Sequence, residues 1–99
     1  MINVNEENFK NEVLNGERVL VDFNATWCGP CRMLKPVLEE FSKDSQVKIV
    51  SVDIDENENL AREYNVHSIP CLVIFNNNKE EKRSIGLIGI DELKEFVGE

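Results

Sequence analysis

Residues 21–32 read VDFNATWCGPCR. Cys28 and Cys31 flank Gly29 and Pro30, and the pair follows directly on the apolar run RVLVDF at 18–23. A compact apolar run after a turn reads as a buried strand. After the pair, CRMLKPVLEEFS places Met33, Leu34, Val37, Leu38 and Phe41 three and four residues apart. That spacing predicts a helix, with Pro36 expected to kink it. The two cysteines therefore fall where a strand ends and a helix begins.

The rest of the chain extends this unit. FKNEVLN at 9–15 predicts a first helix carrying Phe9, Val13 and Leu14, with Asn5 as its N-cap and Gly16 ending it. VKIVSVDI at 47–54 reads as a second buried strand, ENLAREYN at 58–65 as a short helix, and CLVIFN at 71–76 as a third strand. An Asn-rich turn follows, NNNKE at 76–80, then a weaker strand KRSIGL at 82–87. IDELKEFV at 90–97 closes the chain as a helix, and INV at 2–4 can add one more short strand. Strands joined through crossover helices must be parallel, and a hairpin adds antiparallel ones. The expectation is one domain over residues 1–99: an α/β fold with a central mixed sheet of four to five strands and helices on both faces.

Composition narrows the function classes. Ninety-nine residues are enough for one core without staples. The net charge is −8, and the cations are scattered singly or in pairs, which argues against nucleic acid as a partner. The first ten residues, MINVNEENFK, have neither the basic nor the apolar region of a secretory leader, and no apolar run approaches the roughly 18–20 residues of a membrane span. A cytoplasmic location is expected, and there a close cysteine pair is catalytic or metal-binding rather than structural. The sequon NAT at 24–26 then carries no meaning. DIDEN at 53–57 resembles the start of a calcium loop, but Glu58 stands where glycine is needed and Tyr64 where glutamate is needed.

Cysteines three apart on a helix have Cβ atoms about 5–6 Å apart, and a disulfide needs about 3.5–4.5 Å, so a small adjustment closes the bond. As a staple it is poor: a loop of about four residues contributes roughly 2 kcal/mol. The pair reads as one that cycles. Unpaired N–H groups at a helix start favour a thiolate there. Cys28, at the start, is expected to be the more exposed and to attack a target disulfide. Cys31, one turn in and shielded, then attacks Cys28 and releases the reduced target. Cys31 must lose a proton at that step. Asp22, a lone carboxylate in an apolar run, is the candidate base, its pKa raised by desolvation; the alternative is a carboxylate that caps the next loop or points to solvent. Pro30 stiffens the helix start, and Trp27 is either core or an apolar docking surface.

Cys71 is the odd third cysteine, in HSIPCL at 67–72. It reads as a small buried apolar residue, a conditional thiol, or a metal ligand. Cys28, Cys31, His67 and Cys71 together have a count and spacing that a zinc site uses. Against zinc, a chain with its own core needs no structural metal, and His67 reads better as a surface loop residue. Met33 and the phenylalanines at 9, 23, 41, 75 and 96 are expected in the core, and the acidic stretch 56–63 and Lys35 in solvent.

VDFNATWCGPCR, SIPCLVIF about forty residues on, then IGL and a closing helix together resemble the thioredoxin family over essentially the whole chain. The resemblance implies a thioredoxin fold and reduction of protein disulfides. It implies recharging by a thioredoxin reductase, usually an NADPH-linked flavoenzyme, and no cofactor beyond the Cys28–Cys31 disulfide. A monomer acting on oxidised proteins is expected. Cys28 becomes the nucleophile, Cys31 the resolving thiol and Asp22 the buried carboxylate. Trp27, Gly29 and Pro30 become the active-site loop. The Ile69–Pro70 bond is implied to be cis, with the backbone before Pro70 pairing with substrate, and Gly86 matches a glycine that lets substrate approach. The Gly-Pro dipeptide resembles reducing members more than oxidases or isomerases of the same fold. Three positions depart from the usual pattern: Asn24 for a tryptophan, Ser51 for a lysine, and Cys71 for a threonine. Without the lysine, Asp22 has one less cation favouring its charged form, so its pKa is expected above that of members that keep it.

Overall fold

A computed structural model describes residues 1–99. The elements, in chain order, are Ile2–Asn3 (β1), Phe9–Glu12 (α1), Arg18–Asn24 (β2), Gly29–Asp44 (α2), Lys48–Asp53 (β3), Glu58–Glu63 (α3), Cys71–Asn76 (β4), Lys79–Ile85 (β5) and Ile90–Val97 (α4). They build a five-stranded sheet in the order β1-β3-β2-β4-β5. β3 runs parallel to both β1 and β2, because α2 carries the chain back between β2 and β3. β4 is antiparallel to β2 and to β5. The β4–β5 turn uses Asn77 and Asn78 at φ 52° and 71°, left-handed conformations that asparagine tolerates and tight hairpins require.

Side-chain alternation divides the sheet into two cores. Val19, Val21 and Phe23 of β2 join Cys71, Val73 and Phe75 of β4 under Phe9 of α1 and Leu60 of α3. Leu20, Leu72 and Ile74 point the other way and meet Leu34, Leu38 and Phe41 of α2 and Leu93 and Val97 of α4. The helices thus cover both faces, as expected. The same period of two carries Asp22 to the α2 side, with Leu20, and Cys71 to the α1/α3 side, with Phe23.

Three expectations need correction. β5 begins at Lys79 rather than Lys82; its first half is charged and exposed, and what makes it a strand is pairing with β4 alone. Met33 is 62% exposed rather than core. The buried stripe of α2 is Cys31, Leu34, Leu38 and Phe41, and Met33 lies about 100° round the helix from Leu34. At α1 the N-cap position is Asn8, not Asn5. Asn5 instead accepts from the backbone N–H groups of Glu7 and Asn8 at 2.9 and 3.0 Å, turning the chain just before the helix.

Candidate active site

β2 ends at Asn24, and a short turn delivers Cys28 to the N-cap of α2. Pro30 sits in the first turn, where its missing N–H costs nothing. Arg32 Nη1 donates to Thr26 O at 2.8 Å and ties the turn back to the helix. Cys28 and Cys31 are joined as a disulfide across a Cα separation of 5.2 Å. The backbone N–H of Cys31 donates to Cys28 Sγ at 3.1 Å. Of the two sulfurs, Cys28 is therefore the one held by the open end of the helix, where negative charge is stabilised. Exposure does not separate them: Cys28 is 4% and Cys31 5% exposed, so Cys28 is not the more exposed partner. Both pack with Ala25 in a small cluster closed by Ile54 and Ile69.

The Ile69–Pro70 peptide is cis. Pro70 is buried and Ile69 half-buried beside the disulfide cluster. Gly86 donates its N–H to Pro70 O at 2.8 Å, fastening the end of β5 to this loop. At φ 100° Gly86 takes a conformation that side chains disfavour, and a Cβ there meets only open space. Trp27 is 65% exposed, which settles it as surface rather than core, and Pro30 is exposed beside it. Trp27 Nε1 donates to Asp55 Oδ2 at 2.8 Å. Asp55 was not legible as a site residue, because it lies inside the stretch that imitates a calcium loop.

Asp22 is 3% exposed, and burial pushes its pKa from 3.8 up to about 6. Asn24 opposes that rise by donating to Asp22 Oδ2 at 3.3 Å. The same Asn24 Nδ2 donates to Ser51 Oγ at 2.7 Å, while Asp22 Oδ1 has no hydrogen-bond partner. Two of the family departures therefore touch each other beside the buried carboxylate. A capping or solvent-facing role for Asp22 does not fit this burial.

Cys71 is 1% exposed and sits in the cluster of Phe23 and Val73, not in that of the disulfide. Burial pushes its thiol pKa up. His67 is exposed, and nowhere do three or more His, Cys, Asp or Glu side chains gather to hold a metal. The zinc reading finds no support, since Cys28 and Cys31 bind each other. On brief alkylation of the reduced native protein, Cys71 should stay unlabelled while Cys28 reacts, and denaturant should release it; rapid labelling of Cys71 in the native state contradicts this burial.

The Thioredoxin family profile matches residues 1–99. The chain belongs to the thioredoxin family. It is 43% identical over 98 residues to a thioredoxin of Rickettsia felis, covering 96% of this chain and 93% of that one. It is 45% identical over 95 residues to a thioredoxin of Chlamydia trachomatis, covering 95% and 92%. The solved structure of a mutant thioredoxin from Halobacterium salinarum superposes with a TM-score of 0.90 at 34% identity, over 97% of this chain and 86% of that one. With the thioredoxin fold and a closed Cys28–Cys31 pair, the chain is a thiol–disulfide oxidoreductase: a protein-disulfide reductase whose active site is a dithiol that becomes a disulfide. Thioredoxins need no further cofactor for this, and no helix here is long and apolar enough to cross a membrane.

Proposed function

We propose that Cys28 is the attacking thiolate, Cys31 the resolving thiol and Asp22 the base that takes the Cys31 proton. The observation that carries this is the Cys31 N–H donated to Cys28 Sγ at the N-terminus of a helix of 16 residues. Once the bond is reduced, that donor and the helix dipole favour negative charge on Cys28 and on no other sulfur of the chain. Cys28 attacks one sulfur of a target disulfide, the other leaves as a thiolate, and a mixed disulfide results. Cys31 then gives its proton to Asp22, attacks Cys28 and expels the target thiolate. A carboxyl with a pKa of about 6 can take and return a proton near neutrality.

Oxidised proteins are the substrates in this reading, docking on exposed Trp27 and Pro30 and on the backbone before Pro70, with Gly29 and Gly86 keeping the approach open. A thioredoxin reductase re-reduces the pair. Residues 1–99 act as one domain, supported by two cores built on one shared sheet. The net charge of −8 favours a monomer. A buried free thiol in the same chain as a cycling pair fits the reducing cytoplasm. Cys31→Ser, incubated with an oxidised protein, should accumulate a mixed disulfide that peptide mass spectrometry places on Cys28. An adduct on Cys71, or none, refutes the assignment.

A further inference from the structure

A cleft of about 740 Å³ opens beside β1 and β3 and reaches inward to Asp22 and Cys31. Its walls include Asn24, Ser51 and Lys35, but neither Cys28 nor any of Trp27, Gly29, Pro30, Ile69, Pro70 and Gly86. The cleft therefore approaches the resolving pair from a side that the docking groove does not use. This matters for proton balance. While a target is joined to Cys28, it covers the groove, yet Asp22 has to pass on the proton it receives. Asp22 Oδ1, buried and without a partner, belongs to a residue of the cleft wall. Oδ2 is engaged by Asn24, whose amide is anchored in turn by Ser51 Oγ. Asn24 Nδ2 also reaches the Asp22 carbonyl at 3.0 Å, so its two hydrogens are shared among three acceptors.

We propose that Asn24 is a positioning residue for the resolving step: with Ser51 it ties up one oxygen of Asp22, leaves Oδ1 to accept the Cys31 proton, and leaves the cleft as that proton's way to solvent. The proposal rests on the reading of Asp22 as the base. In the step, the S–H bond of Cys31 breaks and an O–H bond forms on Asp22. The sulfur electron pair makes the Cys31–Cys28 bond as the bond from Cys28 to the target breaks. The expelled target thiolate takes up a proton from solvent, and Asp22 releases its own through the cleft. Over the cycle the pair loses two electrons and the Cys31 proton, Cys28 having entered as a thiolate, and the target gains two electrons, its two thiolates taking their protons from solvent.

Other titratable groups line the same cleft and belong in any pH profile. From α2 come Cys31, Arg32, Lys35 and Glu39; from β3 and the turn after it, Asp53 and Glu56. The chain start at Met1 lines the same cleft, and Cys71 of β4 lies close enough for its thiol to be influenced by the Asp22 charge.

The test is a single-turnover reaction with an aromatic disulfide that releases one coloured thiolate when Cys28 attacks and a second when Cys31 resolves. Asn24→Leu keeps the size and removes the donor; Ser51→Ala is milder and removes only the anchor. Both should move the pH midpoint of the second phase upward, Asn24→Leu by about one unit, and leave the first phase unchanged. The Asp22 carboxyl, followed by carbon NMR, should move with it. If both variants keep the wild-type midpoint while Asp22→Asn slows the second phase, Asn24 has no positioning role although Asp22 remains the base. If Asp22→Asn leaves the second phase unchanged, the base assignment fails and this proposal with it. Equal slowing of both phases by Asn24→Leu and Ser51→Ala, with midpoints unmoved, marks Asn24 as merely structural and also overturns it.

Discussion

Cys28→Ser should abolish disulfide reduction, lowering turnover with dithiothreitol as donor by at least about a thousandfold, to the level of the donor alone. The size of the effect follows from what a serine lacks. Its hydroxyl is not ionised near neutrality, so it offers no thiolate, and it cannot form the S–S bond on which the cycle depends. Cys31 does not substitute for it. No backbone N–H is donated to the Cys31 sulfur, whereas Cys28 Sγ receives one at 3.1 Å. Cys71 cannot take over either, since it is buried in another cluster and its thiol pKa is raised. Fold loss does not complicate the result: the replaced bond closes a loop of few residues and contributes roughly 2 kcal/mol. Turbidity or chromogenic assays on wild type and variant decide it, and substantial residual activity in Cys28→Ser sinks the assignment.

The second large effect is on stability. Asp22 has a folded pKa of about 6 against an ordinary value of 3.8. Well below pH 3.8 the carboxyl is protonated in both states and contributes nothing. As pH rises, the unfolded chain ionises first and gains relative to the folded one, and above about pH 6 the full difference applies. That gap corresponds to about 3 kcal/mol lost by the folded protein at neutral pH. Asp22→Asn removes the ionisation. Its amide, set where Oδ1 has no partner, gives back about 1 kcal/mol. The oxidised variant should therefore be more stable than wild type by about 2 kcal/mol at pH 8 and equal or slightly less stable at pH 4, read from urea denaturation at each pH. A difference between the two proteins that does not change with pH contradicts the burial of a charged Asp22. The same substitution should slow the resolving step on the proposed role of Asp22, so stability and turnover should move in opposite directions at this residue.

Much of this was legible in the sequence. β2, β4 and α4 announce themselves because their residues are buried in patterns that a period of two or 3.6 exposes: CLVIFN and IDELKEFV match their elements residue for residue. Cys28, Cys31 and Asp22 stand out because a lone carboxylate and a close cysteine pair are chemically conspicuous among apolar neighbours. What stayed hidden depends on pairing. Lys79–Glu81 carry no apolar signal, and only the register with β4 makes them a strand. Met33 satisfies the spacing rule on paper, yet four better-placed residues already fill the α2 stripe. Asn24 and Ser51 read as two unrelated departures until the parallel register sets Asp22 opposite Ser51. The signal was there in part: two residues along a strand share a face, so Asn24 had to lie on the Asp22 side. Equal burial of Cys28 and Cys31 was not legible, because it depends on Ile54 and Ile69 arriving from distant segments.

The placement of Cys71 has an accounting consequence. The sheet stands between it and the α2 face, with its sulfur among Phe23 and Val73. A protein holding three sulfurs of this kind should then titrate with an oxidant as a carrier of one electron pair, with an even count and no slow drift into mispaired or dimeric forms. Close packing works as insulation, keeping a spare thiol out of the circuit.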